Sequence, residues 1–156
     1  MKKRELIELN AVLNQLKEFG GTKFKYSILK NISLIKPHLL VLEEIETSIK
    51  DIMKDFDSDR NNLILEIGVH NPDGTVSVDQ NDKDAMEKFN EGITQLLEKH
   101  KESINNYNVK LQEFNEILNE EVEEKFTFRE IDVESCPEEN VTAEQLILLL
   151  ECNIIN

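Results

Sequence analysis

Apolar residues recur at steps of three and four along most of this chain, and one passage alone alternates instead. Leu6, Leu9, Leu13 and Leu16, with Val12 beside them, set the first helix at 3–19. Gly20-Gly21 is a plausible stop for it. TKFKY, from Thr22 to Tyr26, alternates briefly and runs straight into the next helical pattern. Ile28, Ile32, Ile35, Leu39, Leu42, Ile45, Ile49, Met53 and Phe56 make one stripe, which predicts a helix at 25–57. Pro37 removes one helical bond, so a kink is expected near 37.

The alternating passage is Leu63 to Gln80, which predicts a β-hairpin at 63–80 around the Asn71-Pro72-Asp73-Gly74 turn. Pairing Val69 with Val76 and Ile67 with Val78 puts Leu63, Leu65, Ile67, Val69, Val76 and Val78 on one face. A three-residue loop suits Pro-Asp-Gly better but shifts that register by one, and the apolar face is taken to decide. Asn81-Asp82 then opens a long helix at 83–124, with Met86, Phe89, Ile93, Leu97, His100, Ile104, Tyr107, Leu111, Phe114, Leu118 and Val122 as its stripe. Phe126 and Phe128 begin a strand at 126–133. Thr142-x-x-Gln145 is a capping box, which predicts a helix at 142–152. Its run Leu146–Leu150 is apolar all round, so it should be buried in the body or against another copy.

Together these elements predict a mainly α (α+β) single domain over 1–156. It is a long antiparallel helical hairpin with a β-hairpin tip, plus an N-terminal helix and a small C-terminal strand–helix module. The two long stripes pair with nearly constant number sums, setting Met53 on Met86, Ile49 on Phe89 and Ile45 on Ile93. The same rule sets His38 opposite His100, where a polar layer that fixes register is expected.

Charge changes the picture next. The 156 residues carry a net charge of −14. Residues 1–36 hold eight Lys/Arg against three Asp/Glu, and residues 112–156 hold two against 13. Such a surface repels nucleic acid over most of its extent, so direct nucleic-acid binding is not expected. The basic N-terminal part is expected to lie against the acidic C-terminal part of the same fold, or else to form a patch for an anionic ligand. Lys23, Lys25 and Tyr26 are the candidate binding residues for that ligand. Charges in the first turns and the lack of an apolar leader point to the cytoplasm, that of the host cell if the chain is phage-encoded. No apolar run is long enough to span a bilayer, so no membrane is expected. Cys136 and Cys152 are expected to be free thiols. Asn31 and Asn140 match a glycosylation sequon that is idle without secretion.

Chemistry is sparse. Asp55, Asp57, Asp59 and Glu66 have the spacing of a calcium loop, but Arg60 stands where the loop needs glycine to turn. The histidines lack partners at ligand spacing, and neither a nucleophile elbow nor a glycine-rich phosphate loop is present. No catalytic residue, metal or cofactor is expected, and the chain reads as a binding protein, not an enzyme.

In element order the chain resembles a family of short uncharacterised helical proteins of phage and prophage genomes. The passages that carry the likeness are ELIELNAVLNQLKEF, KFKYSILKNISLIKPHLLVLEEI, the Asp-Gly turn, KFNEGITQLLE and ENVTAEQLILLLECNII. The helix from Lys99 to Glu124 and the hairpin depart from its shorter members. The resemblance implies a phage origin and transfers no functional residues. A non-enzymatic accessory protein that binds a host or phage protein, for example to block an antiviral defence, is the leading expectation. A sequestering binder of an anionic nucleotide signal and a virion structural or assembly role are the alternatives. Self-association as a dimer is expected from the apolar residues left over.

Overall fold

The computed structural model describes residues 1–137 and 141–156, so the Asn140 sequon lies outside the described residues. The chain is mostly helical, 69%, with one small two-stranded antiparallel sheet, which makes it mainly α. It divides into two compact units, Met1–Glu44 with Asn115–Asn156, and Ile45–Phe114.

The first unit is organised on α1, Lys3–Leu16. Leu6, Leu9, Leu13 and Leu16 fall at steps of three and four, and none has any exposed surface. Full burial of such a side chain stabilises by roughly 1.5–3 kcal/mol, so this one stripe is a large share of the unit's apolar gain. The helix start is pinned twice. Glu5 reaches back to accept from the Lys2 N–H at 2.8 Å. The chain after α5 then pairs with residues 1–3, through Lys3 N–H to Glu120 O at 3.0 Å and Val122 N–H to Met1 O at 2.9 Å. Phe24, Ile28, Ile35 and Leu39 of α2, Thr22–Asp51, close the core with Ile131, Leu149, Ile154 and Ile155.

The last helix, α6, Ala143–Glu151, starts at the expected capping box. It packs on α1. Its end is a Schellman motif: Asn153 takes a left-handed φ of 53°, its N–H bonds to Leu150 O, and the Ile154 N–H bonds to Leu149 O at 2.8 Å. That turn drives Ile154 and Leu149 into the core together.

One expectation changes in this unit. Residues 126–133 form no strand. Ile131 makes an isolated parallel bridge to Ile155, and Val133–Ser135 is a single 3₁₀ turn. The backbone of Arg129 is bonded instead by a side chain, the Asn31 amide on α2. Pro37 lies inside α2 without ending it.

The second unit is built from local pieces. Past Asp51, Ile52 and Met53 donate to Ile49 O and Lys50 O, a tightened turn that ends α2. A separate helix follows, α3, Lys54–Ile67, so the expected helix at 25–57 is divided there. Leu63–Ile67 belongs to α3, and the expected hairpin shrinks to β1, Val69–His70, and β2, Val76–Ser77. A short apolar run reads as helix or strand equally well from periodicity, and here the helix already under way carries it.

Register also differs: Val69 pairs with Ser77 and His70 with Val76. With Leu63–Ile67 helical, no long apolar face remains to set it, and the turn decides. Gly74 has φ 84°, its N–H bonds to Asn71 O, and Asn71 N–H to Thr75 O at 2.8 Å closes a three-residue loop. Gly68 ends α3 where a Cβ would sit 2.5 Å from Ile64 O and 2.7 Å from Val76 Cγ1, so no side chain fits.

The expected helix at 83–124 is two helices, α4, Lys83–Lys99, and α5, Lys101–Asn119, which meet at His100. Asp82 caps α4, its carboxylate accepting from the Asp84 and Ala85 N–H groups. The apolar face of α4 meets α3. Leu63 lies on Gly92, and Phe56 stands edge-on to His100. This pairing replaces the expected one of α4 with Ile45, Ile49 and Met53, because the turn at Ile52–Met53 gives α3 that position.

Candidate functional site

The first turns of α2 carry polar residues at steps of four, Lys23, Ser27 and Asn31, with Tyr26 and Lys30 beside them. That spacing makes one polar edge on a helix otherwise apolar toward the core. The segment after Phe128 runs along this edge and is fixed there by Asn31, which is 1% exposed. The Asn31 amide donates to Arg129 O at 3.0 Å and accepts from Arg129 N–H at 2.7 Å, as a neighbouring strand would.

The Arg129 side chain is fixed as closely as its backbone. Its Nε donates to Ser27 Oγ at 3.0 Å. Its guanidinium carbon lies 5.1 Å from the centre of the Tyr26 ring, a cation–π contact. Lys30 Nζ also sits over that ring, at 5.7 Å. Between the two segments is a cavity of 490 Å³ lined by Lys23, Tyr26, Ser27, Arg129, Glu130 and Asp132, with Phe24 and Ile131 at its base. Asp132 accepts from the Glu134 N–H, which starts the 3₁₀ turn, and Glu130 accepts from Asn156.

Two of the three expected binding residues, Lys23 and Tyr26, line this cleft; Lys25 does not and is half-buried. The residue that completes the site, Arg129, is about a hundred positions away in sequence. Its one advance signal is that it and Lys125 are the two basic residues among 13 acidic ones in 112–156.

His38 and His100, expected to share a layer, each have partners of their own. His38 Nε2 is 3.4 Å from Glu124, and its ring is edge-on to Phe126. His100 Nε2 is 2.7 Å from Asp59, whose same oxygen accepts from Lys99 Nζ at 2.7 Å. Each histidine therefore finds a carboxylate and an aromatic ring inside its own unit. Lys99 first, and His100 second, hold the Asp59 carboxyl below its ordinary range. The calcium-like spacing gathers no ligand set, since Asp55, Asp57, Asp59 and Glu66 all lie along α3. Among the described residues no three His, Cys, Asp or Glu side chains converge as a metal site. No helix there is long and apolar enough to cross a membrane. Cys136 and Cys152 are free, and burial pushes both thiols up. Comparison with protein-family models, with curated proteins and with solved structures found no match.

Proposed function

We propose that this chain is a non-enzymatic phage accessory protein that acts by binding another protein, host- or phage-encoded. The observation that supports this is the outer face of α2. Outside its buried stripe of Phe24, Ile28, Ile35, Leu39 and Leu42, the helix exposes Tyr26 opposite that stripe, Leu29 and Leu40 on one flank, and Leu34 and Val41 on the other, each at 39–57%. From Tyr26 to Val41 these residues span roughly 24 Å of helix. So many large apolar side chains left half in water along one helix mark an interaction surface. Lys30 stands among them and Lys36 beside Leu29 and Leu40, which favours a partner that brings acidic residues together with apolar ones. The likeness to phage proteins supplies the setting, in which interference with a host antiviral defence is the role we infer.

The test compares the tagged wild-type chain with a Leu29→Glu/Leu40→Glu variant in pull-downs from infected cells, read by mass spectrometry, with light scattering in parallel. Both side chains are already half in water, so circular dichroism should be unchanged. A stoichiometric protein partner held by the wild type and lost by the variant is expected. A wild-type dimer that the variant converts to a monomer would assign this surface to a second copy instead. A single 18.1 kDa species with no partner would overturn the reading.

A further inference from the structure

We propose that the cleft between α2 and residues 129–135 binds a small hydroxylated oxyanion. Arg129 and Lys23 would hold its phosphate or carboxylate, and Glu130 and Asp132 its hydroxyl groups. This goes beyond protein binding and rests on a different set of contacts.

The first support is how Arg129 is held. Its backbone is clamped by the buried Asn31 amide, its Nε by Ser27, and its flat face by Tyr26. Those contacts use every part of the residue except the two terminal Nη groups. A guanidinium restrained in this way loses little entropy when its end meets an oxyanion in a forked pair. Purely structural arginines usually spend that end on a carboxylate. Here two carboxylates, Glu130 and Asp132, line the same cleft, yet no ion pair forms between Arg129 or Lys23 and any described residue.

The second support is the lining taken as a whole. Its 490 Å³ falls within the usual range for small-ligand sites. Two cations and two carboxylates share it, so a bare anion would be attracted by one pair and repelled by the other. A ligand that places hydroxyl donors on the acidic side satisfies both. The acids have capacity for that: each already accepts one bond, from Asn156 and from the Glu134 N–H, and an ionised carboxylate can accept several. Sugar phosphates and sugar acids have this combination, an anionic end on a body bearing hydroxyl donors.

The chain has no tryptophan and two tyrosines, so a Tyr107→Phe background makes Tyr26, in the wall of the cleft, the one strong fluorophore. Ribose 5-phosphate, gluconate, inorganic phosphate and neutral ribose are titrated against it, with calorimetry alongside. Ribose 5-phosphate or gluconate should bind saturably, the tighter of the two showing whether phosphate or carboxylate is preferred. Inorganic phosphate should bind about tenfold more weakly or worse, and ribose should give no response. Arg129→Gln should weaken binding by about tenfold or more without changing the circular dichroism, because Asn31 holds the backbone whatever the side chain. Lys23→Gln should weaken it less. Absence of saturable binding at millimolar ribose 5-phosphate and gluconate would overturn the proposal. So would undiminished binding by Arg129→Gln, or inorganic phosphate binding as tightly as the sugar phosphate.

Discussion

The two units of this protein carry the same net charge and are held together quite differently. Residues 45–114 have 15 acidic against eight basic side chains, and the remainder 17 against ten. Yet the core of twelve buried residues belongs wholly to the first unit, whereas the second buries only Ile49 and Phe114 among its described apolar residues. The difference lies in chain topology. The first unit gathers α1, the start of α2 and the C-terminal segment, whose apolar faces meet from three directions. The second is one local excursion, from the end of α2 through most of α5, and helices laid side by side with a two-stranded turn leave most of their apolar residues open on one side. Polar bonds follow the same division. In the first unit several span the sequence, such as Lys3 to Glu120 and Asn31 to Arg129. In the second, Lys99 and His100 reach back to Asp59, while turn and cap bonds such as those of Asn71, Asp73 and Asp82 join near neighbours.

The strongest way to break this comparison is a pair of leucines. Leu13→Ala removes a side chain with no exposed surface and should cost about 2–5 kcal/mol, whereas Leu97→Ala, at 46% exposure, should stay within about 0.5 kcal/mol. Urea melts by tyrosine fluorescence in Tyr107→Phe and Tyr26→Phe backgrounds separate the units, since Tyr26 reports on the first and Tyr107 on the second. Equal costs for the two substitutions would mean that the second unit is as closed as the first.

A smaller loss is expected at Asn31. Asn31→Ala leaves the Arg129 N–H and carbonyl without their partner and should destabilise the first unit by about 1–3 kcal/mol. Asn31→Asp keeps the acceptor for the N–H but sets a carboxylate oxygen against the Arg129 carbonyl, so it should not restore wild-type stability. A Tyr26-reported melt unchanged by Asn31→Ala would show that the 129–135 segment is held by its apolar residues alone.

The second unit should answer to acid through Asp59. Lys99 and then His100 lower its folded-state pKa, so the unfolded chain takes up that proton more readily. The stability that Asp59 contributes is therefore present above the ordinary carboxylate range and is lost as pH falls below about 4 through the lowered folded value. Asp59→Asn should remove part of the acid sensitivity of the Tyr107-reported transition and leave that of Tyr26 unchanged. An identical pH profile with and without Asp59 would remove this ion cluster from the list of what holds α3 to the end of α4.

These contrasts also explain what was legible in the sequence. The α1 stripe, the Thr142 capping box, the Asp82 start and the site of the Pro-Asp-Gly turn all follow from residues within a few positions of one another. Misread features depend on competition or on distance. Leu63–Ile67 fits strand and helix alike, and the helix of the preceding residues wins. The turn at Ile52–Met53 contains no glycine or proline, so nothing local announces it. The expected strand at 126–133 finds its hydrogen-bond partner in a helix side chain, which no periodicity reveals. For the same reason the cleft was half visible: Lys23 and Tyr26 lie within one helical turn of each other, while Arg129 joins them only through the fold.

The smallest effect expected is also the most local measure of how closed the first unit is. Cys152 caps the end of α6, where Asn153 turns the chain to bury Ile154. Burial, with Glu151 and Glu5 adding to it against the opposing N-terminal amine, pushes its thiol up to about 11. At pH 8 roughly one such thiol in a thousand is ionised, and the thiolate is the form that reacts. Alkylation by iodoacetamide should therefore run about a hundredfold slower than at an ordinary exposed thiol, and should accelerate as pH rises toward 11. Cys136 is raised as well, by burial and by Asp132, so it too should react slowly. Because both cysteines belong to the first unit, their protection should persist in urea concentrations that already shift the Tyr107 signal. Cys152 reacting at the rate of a free thiol in native buffer would show that the cap at the end of α6 opens readily. The closed core would then have to be redrawn around α1 and α2 alone.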